Sequence, residues 1–389
     1  MDEFEKDMEL ETEQNAISDV PVSEPVETKP KKKKRKLKKV SKYILIFVLI
    51  FLAVVVYKTA GCNNQAVENM YNFESDSNCQ ITEYNGKVLV LNYDGAKIIN
   101  LDGMQSESIE YHMANPRMNV CGEMILLYDK DNKKLAVFKG GEKKYSYESE
   151  FKIKSAKINK NGQVVFISDE SGYNYRVNIL NNKGEEEYIW KIGDEYLLDA
   201  DISPDGKKLV AATITTATGQ IVQNIIMVDV EKAVEIGRTT TEGVMPLRVE
   251  FAENGLAIVV SDDRIGGYNT KAEKKWEDSF ENRLLDFFAM DDEGNTVVSL
   301  RGIKNNSVVL AYTKNGKNSG EFTSDTKTTY VDLNSKHIAV CEENKISMIS
   351  YSGKVVAEME IKKEVMGISV ISNNKAIILC KDCIQIFKL

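Results

Sequence analysis

The 389 residues contain two histidines, His112 and His337. A zinc site or a Ser-His-Asp triad needs an imidazole held beside other ligands or a nucleophile, so both chemistries have little to draw on here. His337 stands in the apolar run Asn334-Ser-Lys-His-Ile-Ala-Val340 and reads as a core residue of a buried strand. Two acidic pairs, Asp262-Asp263 and Asp291-Asp292, have the composition of an acid and a base. Both fall where strands end, and there Asp more commonly caps backbone N–H groups. Asp129-Lys-Asp-Asn-Lys133 alternates oxygen donors as a calcium loop does. It lacks the turn glycine and terminal glutamate and carries lysines, so it reads as a solvated hairpin turn. No catalytic, cofactor-binding or metal-ligating set is assigned, and no enzymatic activity is expected.

The cysteines are Cys62, Cys79, Cys121, Cys341, Cys380 and Cys383. Cys380-Lys-Asp-Cys383 is a C-x-x-C pair placed on a hairpin turn, not at a helix start. It therefore lacks the helix N-terminus that tunes a thioredoxin-like thiol, and no histidine follows it for haem attachment. A structural disulfide is compatible with an oxidising compartment, but the spacings show no framework, and mostly thiols or local pairs are expected.

The elements that carry these residues announce themselves by repetition. Ile202-Ser-Pro-Asp-Gly-Lys-Lys-Leu-Val-Ala-Ala212 reads as a strand end, a tight turn with Pro204 presetting φ and Gly206 closing it, and a buried strand. Turn-then-apolar-strand phrases recur at Tyr84–Leu91, Cys121–Leu127, Lys160–Ile167, Glu253–Val260, Asp292–Leu300, Asn334–Val340 and Asn373–Leu379. With the first they make about eight copies, spaced roughly 40 residues apart, the period of four-stranded propeller blades. Second hairpin signals follow at Ile179–Glu185, Ala311–Lys317 and Ser350–Lys354, read as turns between the third and fourth strands of a blade. The expectation is an all-β, eight-bladed propeller over residues 76–389, with seven blades as the alternative. No long 3.6-residue periodicity interrupts it, which disfavours an α/β fold.

Residues 1–28 hold ten Asp or Glu against one lysine, Lys6, with Pro21 and Pro25 breaking any helix; they read as an acidic disordered tail. Residues 29–42 are densely basic and abut the apolar segment 43–60. Basic residues beside an apolar span stay cytoplasmic and favour anionic lipid headgroups, so a single-pass membrane helix is expected, with the C-terminal domain outside the membrane. Without aromatic or motif context the basic run is not read as a nucleic-acid site. A cleaved signal peptide is one rival. Another is a lipoprotein: Thr59-Ala-Gly-Cys62 resembles a lipobox, which would make Cys62 an acylated residue, although Lys58 and Thr59 depart from the pattern. Residues 61–75 read as a linker and closing strand. The strands near Gly367–Ile371, Ala376–Leu379 and Ile384–Phe387 leave the final blade one short, and residues near Ala66–Glu74 are the natural donor.

The phrase Ile202–Leu209 resembles the repeat of TolB-type and WD40-like propellers. Tyr268-Asn-Thr-Lys-Ala-Glu-Lys-Lys-Trp276 resembles a quinoprotein-type blade ending, where a tryptophan follows a turn. The layout as a whole resembles membrane-anchored propellers of Gram-positive bacteria, and in blade type and anchoring it is similar to the propeller subunit of the outer-membrane assembly machinery. With Trp190 and Trp276 as the only tryptophans, the repeated tryptophan docking of quinoprotein enzymes is absent, and no cofactor residues carry over.

Two function classes follow. One is a membrane-tethered extracytoplasmic module that binds a protein or cell-envelope ligand. The other is an extracytoplasmic enzyme with a site on a propeller face, glycan lyase-like or quinoprotein-like, for which clustered catalytic groups are not legible. The acidic balance beyond the apolar segment disfavours polyanionic partners, nucleic acid included.

Overall fold

The computed structural model describes residues 67–72, 78–217, 219–372 and 375–388. The chain divides into two units, residues 1–63 and 64–389, and every described residue belongs to the second. The acidic tail, the basic segment, the span expected over 43–60 and Cys62 lie outside the described residues. Among the described residues, no helix is long and apolar enough to cross a membrane.

The second unit is a ring of eight four-stranded antiparallel sheets. Seven blades are continuous in sequence: residues 80–110, 116–148, 153–192, 196–242, 246–279, 285–323 and 328–360. Blade 8 takes three strands, Val365–Ser372, Lys375–Cys380 and Cys383–Lys388, and its outer strand is Val67–Asn72. That strand pairs antiparallel with the one before it, Val67 opposite Phe387 and Asn72 opposite Cys383. First strands of neighbouring blades lie against one another at seven junctions, blade 8 against blade 1 included, and blades 5 and 6 meet through the side chains of their other strands, so the ring is closed. Each of the eight repeated phrases falls at the turn between the first and second strands of a blade. At Ser203–Gly206 the Gly206 N–H closes the turn on the Ser203 carbonyl at 2.8 Å, with Gly206 at φ 74°.

The continuous apolar runs of the second strands follow from burial on both faces. Successive side chains of a strand point to opposite sides of its sheet. In Lys87–Asn92, Leu89 and Leu91 enter the cluster shared with blade 2, whereas Val88 and Val90 enter the cluster shared with blade 8. In Met124–Asp129, Ile125 and Leu127 face blade 1 and Leu126 faces blade 3. One such cluster fills each junction between successive blades, so the core is divided into wedges and not gathered in one place.

Aromatic residues of the fourth strands latch blade to blade. Trp276 of blade 5 stacks on Tyr312 of blade 6, ring centroids 6.5 Å apart and 13° from coplanar. It also covers Gly316 in the turn between the third and fourth strands of blade 6, where any Cβ would lie inside the indole. Tyr145 covers Gly184 of blade 3 in the same way, its hydroxyl donating to the Gly162 carbonyl at 2.8 Å. Tryptophan docking therefore occurs once, at Trp276, and a tyrosine fills the corresponding place in blade 2. Trp190 packs instead against the cluster between blades 3 and 4.

Candidate functional site

The ring has two faces. The repeat-turn face carries the turns between first and second strands. The crossover face carries the blade-to-blade connections and the turns between second and third strands. Between them, the first strands of the blades present one edge with unpaired backbone N–H groups, and such groups need acceptors when removed from water.

Side chains of the preceding blade supply them. Gln80 Oε1 accepts from Met118 N–H at 3.1 Å, and Asn119 Oδ1 from Ile158 N–H at 2.9 Å. Asp199 Oδ2 accepts from Val249 N–H at 2.9 Å, and Asp201 Oδ2 from Phe251 N–H at 2.7 Å. Asp332 Oδ2 accepts from Val370 N–H at 2.7 Å, and Ser369 Oγ from Glu83 N–H at 3.0 Å. The buried ammonium of Lys157 joins three blades, donating at 2.6 Å both to Asp199 Oδ2 and to the Val249 carbonyl. Arg248 bonds Glu250 at 2.5 Å and lies 3.8 Å from Asp199. Burial pushes Asp201 up to about 7 and Asp332 up to about 6, against the lowering effect of the backbone N–H groups they accept. These carboxylates are engaged in holding blade to blade.

At the repeat-turn face the channel is pinched. Asp292 of blade 6 reaches the Gly122 backbone of blade 2, across the ring, and burial raises both Asp291 and Asp292. The pinch divides the mouth. A cavity of about 440 Å³ lies on the side of blades 7, 8 and 1, lined by Glu83, Asp291, Asp292, Glu293 and Asp332 among others. A much smaller one, about 70 Å³, lies toward blades 3 to 5 beside Lys157, Asp201 and Glu250. Among the described residues no group of His, Cys, Asp and Glu is arranged to hold a metal ion.

The crossover face has the opposite character. Tyr196, Met245 and Leu284 are exposed at the starts of the first strands of blades 4, 5 and 6. Register shifts between Leu197 and Asp199, and between Pro246 and Arg248, set Leu198 and Leu247 out of the ladder; both are exposed. In blade 4 the second and third strands, Lys208–Ala217 and Gln220–Asp229, run ten residues each, against five or six in every other blade. The surplus of about four residues carries this hairpin roughly 13 Å farther at ~3.3 Å per residue, with Ile221 exposed on it.

The residues singled out from sequence are scattered. Asp262 and Asp263 occupy the turn between the second and third strands of blade 5, on the crossover face, where Asp262 accepts from Met245 N–H at 3.0 Å and Asp263 pairs with Arg264 at 2.8 Å. Asp291 and Asp292 lie on the repeat-turn face, so the two acidic pairs never share a site. Asp291 caps its own turn, accepting from the Asn295 backbone and side chain at 2.8 Å each. Asp129 is buried, not solvated: its carboxylate accepts from the N–H groups of Ala114 at 3.1 Å and Asn115 at 2.7 Å, fixing the connection from blade 1. His337 opens the second strand of blade 7 and is half-buried, not in the core, because the turn at Asn334–Lys336 leaves one side of it open. His112 is exposed beside Asp94, 3.2 Å away. Cys79, Cys121, Cys341, Cys380 and Cys383 are thiols. Lys157, Asp199 and Arg248 went unnoticed in the sequence. The signal was there as Asp199-x-Asp201 and Arg248-x-Glu250, charges of period two in the strand ahead of each repeat turn.

Residues 58–389 match the model of a family of unknown function, DUF5711. The chain belongs to that family. No match is found among curated proteins. Solved structures agree on the fold. The ring is similar to BamB from Moraxella catarrhalis at 12% identity and a TM-score of 0.51, covering 83% of this chain and all of that one. It is similar to the C-terminal WD40 domain of Sif2 at 9% identity and a TM-score of 0.61, covering 84% and 99%. The propeller domain of Cps50 (Swd1) from Myceliophteria thermophila is similar at 10% identity and a TM-score of 0.52, covering 83% and 100%. At these identities the likeness extends to the propeller fold and not to a ligand.

Proposed function

We propose that this DUF5711 protein is a membrane-tethered, extracytoplasmic binding or scaffold module, and that its crossover face recruits a protein of the cell envelope. The carrying observation is the run of exposed apolar side chains, Tyr196, Leu198, Met245, Leu247 and Leu284, along three consecutive first strands beside the projecting blade 4 hairpin. Exposed aromatic and aliphatic groups rimmed by polar ones are the ordinary composition of a protein contact. The acidic composition argues against a polyanionic ligand. The basic segment 29–42 ahead of the apolar segment 43–60 supports a tether with its N-terminus in the cytoplasm and the ring outside.

Photocrosslinking in living cells tests this reading. A benzophenone side chain at position 196 or 247 is expected to yield a discrete crosslinked protein band. Leu247→Glu should abolish the band formed from position 196, and a charge reversal at Glu83 on the opposite face should not. Protease added to intact, wall-stripped cells should cleave the ring but not the first 28 residues. Crosslinks arising equally from both faces, or a ring protected until the cells are lysed, would overturn it.

A further inference from the structure

We propose that Cys380 and Cys383 are a redox-active dithiol, forming a reversible disulfide across the hairpin of blade 8 with Lys363 as the cation beside the attacking sulfur. The two cysteines flank the two-residue turn Lys381-Asp382, the last residue of one strand and the first of the next. Residues so placed face each other across an antiparallel hairpin at a separation of about 5.5 Å between Cα atoms, inside the range a disulfide spans. Both cysteines belong to the buried cluster between blades 7 and 8. Lys363, on the connection from blade 7, places Nζ 3.1 Å from Cys383 Sγ and 2.9 and 3.0 Å from the two Asp382 carboxylate oxygens. Both sulfurs are buried, but Lys381 and Asp382 are exposed at the tip of the turn and Lys363 is only partly covered. An oxidant reaches Cys383 from the side of Lys363, the partly exposed group in contact with its sulfur.

The chemistry is thiol–disulfide exchange with an aliphatic disulfide as oxidant. The Cys383 thiol gives its proton to solvent, and the thiolate, facing the Lys363 ammonium, attacks one sulfur of the oxidant. The oxidant's S–S bond breaks, its first thiolate leaves and takes a proton from solvent, and a mixed disulfide remains on Cys383. Cys380 then attacks the Cys383 sulfur, its proton passing to the second leaving thiolate. Two protein thiols lose two electrons and one disulfide becomes two thiols. Burial pushes the Cys380 thiol up to about 12, so it stays protonated until the mixed disulfide forms, and its proximity in the intramolecular step offsets its small thiolate fraction. The bond would pin the strand that holds the outer strand Val67–Asn72, since Cys383 is the partner of Asn72.

The test equilibrates the full chain with buffers of graded oxidised and reduced glutathione. Samples are quenched in acid, alkylated under denaturing conditions and digested for mass spectrometry. The expected result is one two-electron transition in which the peptide bearing both cysteines becomes lighter by two hydrogens and refuses alkylation, while Cys341, buried in blade 7, stays alkylatable. Lys363→Met should slow oxidation several-fold with the end state unchanged. A glutathione adduct that never resolves to the internal bond, or thiols that stay alkylatable in fully oxidised buffer, would overturn the pair. An unchanged rate in Lys363→Met would overturn the role of the lysine. The wild-type titration stands whether or not the variant folds.

Discussion

Lys157 and Asp199 form a buried ion pair, 2.6 Å from nitrogen to oxygen, in which blade 3 grips blade 4 and, through the Val249 carbonyl and N–H, blade 5. Removing one partner of such a pair leaves an uncompensated charge. Lys157→Met is expected to destabilise the ring by about 3–5 kcal/mol. Lys157→Met with Asp199→Leu should recover part of that loss, held below wild type by the Val249 N–H left without its acceptor. Denaturant melts of the two variants and wild type check both statements; a double variant less stable than the single one would contradict them.

Asp201 gives the fold a pH signature opposite to that of an ordinary ion-paired carboxylate. Its folded value of about 7 lies above the unfolded value of about 3.9. The folded ring thus holds a proton that the unfolded chain releases. That contribution is fully present below pH ~4 and is lost as pH rises toward ~7. Asp332, at about 6, acts in the same direction. Asp201→Asn should therefore gain stability relative to wild type between pH 5 and pH 8. A difference between the two proteins that stays flat over that interval would rule the assignment out.

The register of the closing strand is open to a chemical check. Asn69 lies opposite Gln385, whereas Glu68 lies opposite Ile386. Paired substitutions Asn69→Cys and Gln385→Cys should crosslink under mild oxidation, and moving one of the two cysteines along its strand by one residue should largely abolish the bond by turning it to the other face. Gel mobility after digestion between the two sites reads the outcome.

Gly316 is expected to tolerate no side chain. Its φ of 78° already disfavours one, and a Cβ would collide with the Trp276 indole. Gly316→Ala should cost about 1–3 kcal/mol from overpacking alone. Gly255, also at positive φ but with open space around it, supplies the control, because its alanine variant carries backbone strain without collision. Thermal melts that rank the two variants equally would show that the indole moves aside freely.

What could be read in advance was what is local. A tight turn followed by an apolar strand is a short-range signal, so the repeat turns of blades 1 to 7, from Asn85-Gly86 onward, sit where the repetition put them, the eighth phrase begins outside the described residues and leads into the strand Lys375–Cys380, and the strand shortage in blade 8 pointed to the region of Val67–Asn72. The pinch between Asp292 and Gly122 has no such signal, since it joins turns of blades 2 and 6 that lie far apart in the sequence. Asp129 looked solvated because only the folded connection from blade 1 brings Ala114 and Asn115 over it. The apolar crossover face was hidden for a related reason. In sequence nothing distinguishes Leu198 and Leu247 from the core residues of their strands, and it is the register shifts beside them that set them outward.

Because the outer strand of blade 8 is made early and its partner Cys383–Lys388 is made after every other described strand, the ring stays an open horseshoe until translation has passed residue 388. A frameshift that spoils only that last stretch would leave seven blades sound and still unseat Val67–Asn72, presenting raw sheet edges to quality-control proteases.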